Sequence, residues 1–223
     1  MNELRIALFD FDGTLIDSAN TIIRLSRLAC EMSGARIPSA EEVRSNIGQG
    51  LMIAALSYAD GDEELARAIF DNYRAQTRLE LSAKDKEVDP LFEGAEAALK
   101  RLTEQDWLLG IVTNKGRHGL NALLDHYQLT SLFDVTLTAD DVSVKPAPDM
   151  ALEALSRTGT IATRAALIGD TLNDANCAKN AHVGFVGVSW GYHDDNELRQ
   201  AGAFHIASDF PDLVNALNAH IPA

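Results

Sequence analysis

Asp10 and Asp12 stand two residues apart at the end of an apolar run, in the string Asp10-Phe11-Asp12-Gly13-Thr14. In an extended backbone, residues i and i+2 project to the same side, so both carboxylates can face one site. Gly13 permits a sharp turn that leaves neighbouring amides free to donate to phosphate oxygens. A carboxylate pair also suits magnesium, which prefers oxygen ligands. Three further segments carry reactive groups. Thr113-Asn114 offers a hydroxyl and free amides ahead of a helix, an arrangement that suits an anion. In Lys145-Pro146-Ala147-Pro148-Asp149, two prolines restrict the chain around one lysine, so its ammonium can be held in place. Gly169-Asp170-Thr171-Leu172-Asn173-Asp174 sets two acids four apart across a strand end and a helix start, one for a metal and one behind it. Taken singly, each segment also reads as structural punctuation: an Asx turn, a helix cap or a surface loop. Their order and placement together point to one site.

The elements that must position these residues are legible from apolar periodicity. Strands are predicted at residues 4–9, 108–112, 135–137, 165–168, 183–188 and 204–207. Helices are predicted at 95–104, 116–127, 150–157, 173–180, 196–201 and 211–217. Strands alternating with helices imply a parallel α/β sheet, and Ala165-Ala166-Leu167-Ile168 is apolar on both faces, as a strand covered on two sides must be. All four reactive segments fall at or just past strand C-termini, the edge where open α/β sheets bind ligands. Residues 17–86 differ: Ile22, Ile23, Leu25, Leu28 and Ala29 form one helical stripe, and Leu65, Ala66, Ile69, Phe70 and Tyr73 another. Ser39 with Glu42 forms a capping-box pattern, and Gly48 and Gly50 break the helical run. The predicted organisation is an α/β core of 1–16 and 87–223, interrupted by a helical cap of 17–86 and joined by the polar stretch 82–89.

The chain has 223 residues, 46% hydrophobic and 23% charged, an ordinary globular balance that disfavours disorder. No apolar run is long enough for a bilayer, and the first strand-like run lacks a cleavable small-residue site, so neither membrane residence nor a secretory signal is expected. The net charge of -14 disfavours nucleic acid, whose phosphates need clustered Lys and Arg. It would also repel a phosphorylated metabolite unless the site supplies its own cations. Cys30 and Cys177 are the only cysteines, which fits a reduced, cytoplasmic setting. None of the six histidines forms a close metal-binding pair; His193, following Trp190-Gly191-Tyr192 beyond a strand's C-terminal end, could approach the site, but loop packing explains it better. Met32 and Met52 are expected in the core.

Read together, the four segments resemble the haloacid dehalogenase-like hydrolase superfamily: Asp-x-Asp-Gly-Thr, then Ser/Thr, then Lys, then Gly-Asp-x-x-x-Asp. The helical insert resembles the type 1 cap. Residues 10–18 (DFDGTLIDS), 46–50 (NIGQG), 111–115 (IVTNK) and 187–192 (GVSWGY) resemble phosphoglycolate phosphatases within that group. The resemblance implies a Rossmann-like three-layer sandwich and a Mg2+-dependent hydrolase of small phosphate monoesters. It makes Asp10 the nucleophile and Asp12 the general acid and base. It places the metal on the carboxylates of Asp10 and Asp170 and the backbone carbonyl of Asp12. It assigns phosphoryl binding to Lys145, Thr113 and amides near Phe11 and Asn114, with Asp174 supporting Lys145 or a metal-bound water. Dehalogenases of the superfamily lack the second acid, so Asp12 argues against that activity. Phosphomutases more often carry Ser-Ala or Ser-Ser where Thr113-Asn114 stands. Within the cap, Gln49 and Arg44 are the nearest candidates for contacting a carboxylated substrate such as 2-phosphoglycolate. Pyrophosphate hydrolysis, sugar-phosphate chemistry and a non-catalytic binding role on the same fold are the alternatives.

Overall fold

The computed structural model describes residues 4–83 and 88–223; the expected linker's residues 84–87, and with them the expected 86/87 boundary, lie outside these. Six parallel strands, β1 (Arg5–Phe9), β2 (Trp107–Thr113), β3 (Val135–Thr138), β4 (Ala165–Gly169), β5 (Gly184–Val188) and β6 (His205–Ala207), form one sheet in the order β3-β2-β1-β4-β5-β6. The strand alternation decides the layers. Ala7 and Phe9 face a core built with α5 (Ala95–Glu104), α6 (Arg117–His126) and α10 (Phe210–His220). Ile6 and Leu8 face the opposite core, with α7 (Asp149–Thr158), α8 (Leu172–Ala181) and α9 (Asp195–Gln200). β1 is fully buried, as a strand covered on both faces must be. The strand order reverses around β1, which makes the loops after β1, β2 and β4 neighbours at the sheet's carboxyl edge.

Between β1 and β2 the chain inserts α1 (Ala19–Met32), α2 (Ala40–Ser45), α3 (Leu51–Tyr58) and α4 (Glu63–Ser82). These share a separate core that includes Ala29, Cys30, Val43, Ala55, Tyr58 and Ile69. The capping box at Ser39 and Glu42 forms as the pattern predicts. The chain leaves and returns side by side: Asp17 donates to the Pro90 carbonyl at 2.9 Å and Phe92 to the Leu15 carbonyl at 3.0 Å. α4 continues through Ser82, one residue into the stretch expected to be linker, because its last turn, with Leu79 and Leu81, carries the helical pattern on. Met32, expected in the core, is instead half exposed, at 50%, because it is the last residue of α1 and no following turn covers it. Both cysteines are buried free thiols. Among the described residues no helix is long and apolar enough to cross a membrane.

Candidate active site

Asp10 and Asp170 are the first residues past β1 and β4, neighbouring strands, and both are buried. The carboxylates of Asp10, Asp170 and Asp174 place one oxygen each within 4.8 Å of one another. Burial leaves these acids poorly solvated, and it pushes the Asp10 carboxyl up to about 6 against the pull of the Lys145 ammonium. Burial, with Asp174 and Asp10 as like-charged neighbours, holds Asp170 well above the ordinary carboxylate range. Lys145 is 1% exposed, arriving from the loop between β3 and α7. Burial disfavours its charge, but Asp10 at 2.9 Å and Asp174 at 2.5 Å reverse that and hold it above the usual lysine range. Lys145 Nζ, 2.9 Å from Asp10 Oδ1, is the one cation paired with this buried oxygen among the described residues. Three buried carboxylates gathered around a single lysine are a donor set that fits a hard divalent cation.

The second acid of the last segment is committed to the protein. Asp174 Oδ1 holds Lys145, while Oδ2 accepts from the Thr171 amide at 3.0 Å and the Thr171 hydroxyl at 2.6 Å, forming a capping box at the start of α8. One residue thus both holds Lys145 and caps α8. Asp170 is oriented by the Thr14 hydroxyl at 2.9 Å and the Tyr192 amide at 3.0 Å. Two glycines make room for it. Gly13, at φ +83°, and Gly191 each stand so close that a Cβ would fall 2.4 Å from Asp170 Oδ2 and 2.0 Å from its Cβ, respectively. The Asp12 carboxylate lies outside the three-acid knot, accepting from the Ser18 hydroxyl at 2.7 Å and from Lys115 Nζ at 2.9 and 3.1 Å. A metal role for Asp12 is thus confined to its main chain.

The profile described as "Haloacid dehalogenase-like hydrolase" matches residues 7–188, most of the chain. The chain belongs to the haloacid dehalogenase-like hydrolases. Among relatives of this hydrolase, the phosphoglycolate phosphatase of Rhodobacter capsulatus is 34% identical over 93% of this chain and 95% of its own. The probable phosphatase IndB of Dickeya dadantii is 32% identical over 96% and 94%. The crystal structure of a predicted phosphatase from Clostridium acetobutylicum superposes with a TM-score of 0.86 at 25% identity, covering 98% of this chain and all of that one.

The hydrolase holds a cavity of about 330 Å³ between core and cap, lined by Asp10, Asp12, Thr113, Asn114, Lys115 and Gln49 among others. Thr113 ends β2 and is buried, with its hydroxyl accepting from the Lys115 amide at 3.3 Å. The Asn114 side chain is a fastener: it accepts from the Lys145 amide at 2.8 Å and donates to the Lys145 carbonyl at 3.0 Å and the cap's Gly48 carbonyl at 2.9 Å. Any anion binding there is left to its main chain. Asn173 reaches the same Gly48 carbonyl at 3.2 Å, so two core amides hold the glycine turn over the site. Phe11 is fully buried in the core, and its amide donates to the Asp10 carboxylate. The Gln49 amide is held by Asn46 at 2.9 Å at the cavity wall. Arg44 is exposed and does not line the cavity, a correction that follows from the turn of α2, which buries Val43 and points its neighbour outward. Arg74, Arg78 and His118 line it instead. His193 accepts from the Leu172 amide at 3.4 Å, and its own amide donates to the Asp170 carbonyl at 3.3 Å. Sequence reasoning gave no role to Lys115, Thr14, Ser18 or Tyr192, although Lys115 directly follows Thr113-Asn114.

Proposed function

We propose that this hydrolase is a Mg2+-dependent phosphatase of small phosphate monoesters, working through an aspartyl-phosphate on Asp10, with 2-phosphoglycolate its favoured substrate. The observation that carries this reading is the buried cluster of Asp10, Asp170 and Asp174 with Lys145 set between Asp10 and Asp174. Asp10 attacks phosphorus and the ester P–O bond breaks. Asp12 gives its proton to the departing alkoxide, then takes one from a water that attacks the aspartyl-phosphate, releasing phosphate and restoring Asp10. Lys145, Thr113 and the main-chain amides at Phe11 and Asn114 hold the phosphoryl oxygens where charge gathers. Asp10, Asp170 and the Asp12 carbonyl would hold magnesium, which when bound supplies the positive charge these acids and the substrate require. Asp174 keeps Lys145 in position. The same reading takes 1–16 and 87–223 as the catalytic core and 17–86 as the cap, supported by the cap's separate apolar core and the paired exit and return of the chain.

Support for the carboxylated substrate comes from relatives carrying the name phosphoglycolate phosphatase, at 34% and 28% identity. A second reading, phosphate esters of larger alcohols, is favoured by the cavity wall, where Met52, Tyr58, Phe70 and Tyr73 contribute apolar surface beyond what a two-carbon acid fills. Hydrolysis of an aryl phosphate should require added divalent cation, with magnesium restoring activity after exhaustive chelation. Full turnover in chelator would contradict the assignment. A panel comparing 2-phosphoglycolate, pyrophosphate, hexose phosphates and aryl-alkyl phosphates by kcat/KM then decides the substrate, and a tenfold lead for any other compound displaces phosphoglycolate.

A further inference from the structure

We infer that Lys115 is the residue that recognises the leaving group's carboxylate. This deepens the carboxylated-substrate reading above and rests on it. As the proton donor, Asp12 must stand beside the ester oxygen, and Lys115 Nζ lies 2.9 and 3.1 Å from its two carboxylate oxygens. A cation pinned there is one side chain's breadth from the bond that breaks. In 2-phosphoglycolate the carboxylate sits on the carbon that bears that ester oxygen, so it enters the space next to this ammonium. An ammonium carries three donors; two face Asp12 and one remains for a second anion. The Lys115 side chain is 17% exposed, so its attraction for an anion is screened less than at an open surface.

The remaining cations around the cavity are placed for other work. Lys145 lies on the phosphoryl side, between Asp10 and Asp174. Arg74 reaches from the cap to Asp140 of the core through both guanidinium nitrogens, at 2.8 and 3.3 Å. Arg78 and His118 are exposed at the rim. The stem of Lys115 is also given a built path. It lies across the first turn of α6, where Gly119 has no side chain, and a Cβ there would press on Lys115 Cε at 3.3 Å. Packing thus routes this lysine inward to Asp12 and away from solvent.

The test compares kcat/KM for 2-phosphoglycolate and for its near-isosteric neutral counterpart, 2-hydroxyethyl phosphate, in the wild type, Lys115→Met and Lys115→Gln. The wild type should prefer the carboxylate. Either substitution should reduce that preference by tenfold or more, on the scale of a lost hydrogen bond between charged groups. Loss of Asp12 positioning alone would slow both esters equally, so the ratio separates recognition from support. The glutamine variant keeps donors and length if the methionine variant folds poorly. A preserved preference in the substituted proteins overturns the role of Lys115 while leaving the substrate intact. A wild type that shows no preference overturns the substrate and, with it, this inference.

Discussion

Asp10 and Asp12 are near neighbours in sequence with different surroundings, and their proposed roles follow from that difference. Asp10 is buried among Lys145, Asp170 and Asp174, where a phosphoryl group's charge can be met by a lysine and a metal. Asp12 is turned toward Ser18 and Lys115 at the cavity side, where a leaving group would depart. Asp10→Asn is therefore expected to abolish turnover while the protein still unfolds cooperatively, because an amide matches the shape of the carboxylate but is a far poorer nucleophile. Asp12→Asn should leave a slow residual rate, reduced roughly 100-fold or more, the usual scale of general acid–base catalysis. Single-turnover and steady-state kinetics on both variants check this. A wild-type rate in Asp10→Asn would move the nucleophile elsewhere.

The elements matter through their ends. β1, β2 and β4 stop within hydrogen-bonding range of one another's loops, and small residues let those loops close. Gly191 approaches Asp170 so tightly that Gly191→Ala must displace the acid or its own loop. Such overpacking typically costs ~1–3 kcal/mol, which at about 2–4 °C per kcal/mol for a chain of this size lowers the melting temperature by several degrees. The same substitution should weaken magnesium's stabilisation of the fold, measured by titrating metal against the melting temperature. An unchanged titration would mean that Asp170 does not depend on this close approach. Asn114 plays a comparable part between elements, joining the end of β2 to the Lys145 loop and to the cap turn at Gly48.

For the whole molecule, a charge of -14 opposes any anionic substrate at long range, while Lys115 at the cavity wall and the buried Lys145 act only at short range. Salt screens the long-range part over about 8–10 Å at ~0.1 M while leaving buried contacts nearly intact. Raising ionic strength from ~0.01 to ~0.15 M at saturating magnesium should therefore increase kcat/KM for a phosphate monoester. A steep decrease would show that local cations dominate the encounter. The amino-acid sequence by itself determined the alternating strands and helices, the helical insertion after β1 and the order of the reactive segments. Each of these is written in local periodicity and spacing, and the parallel sheet then brings strand ends to one edge. Only the tertiary structure decided the partners. Asp12 meets Lys115 across 103 residues, and Asp174 is spent on Lys145 and the start of α8. Arg74, not Arg44, reaches the cavity from the cap. Periodicity specifies which face of an element is buried, but the meeting of two side chains far apart in the chain depends on how loops and helices pack, and no local pattern encodes that.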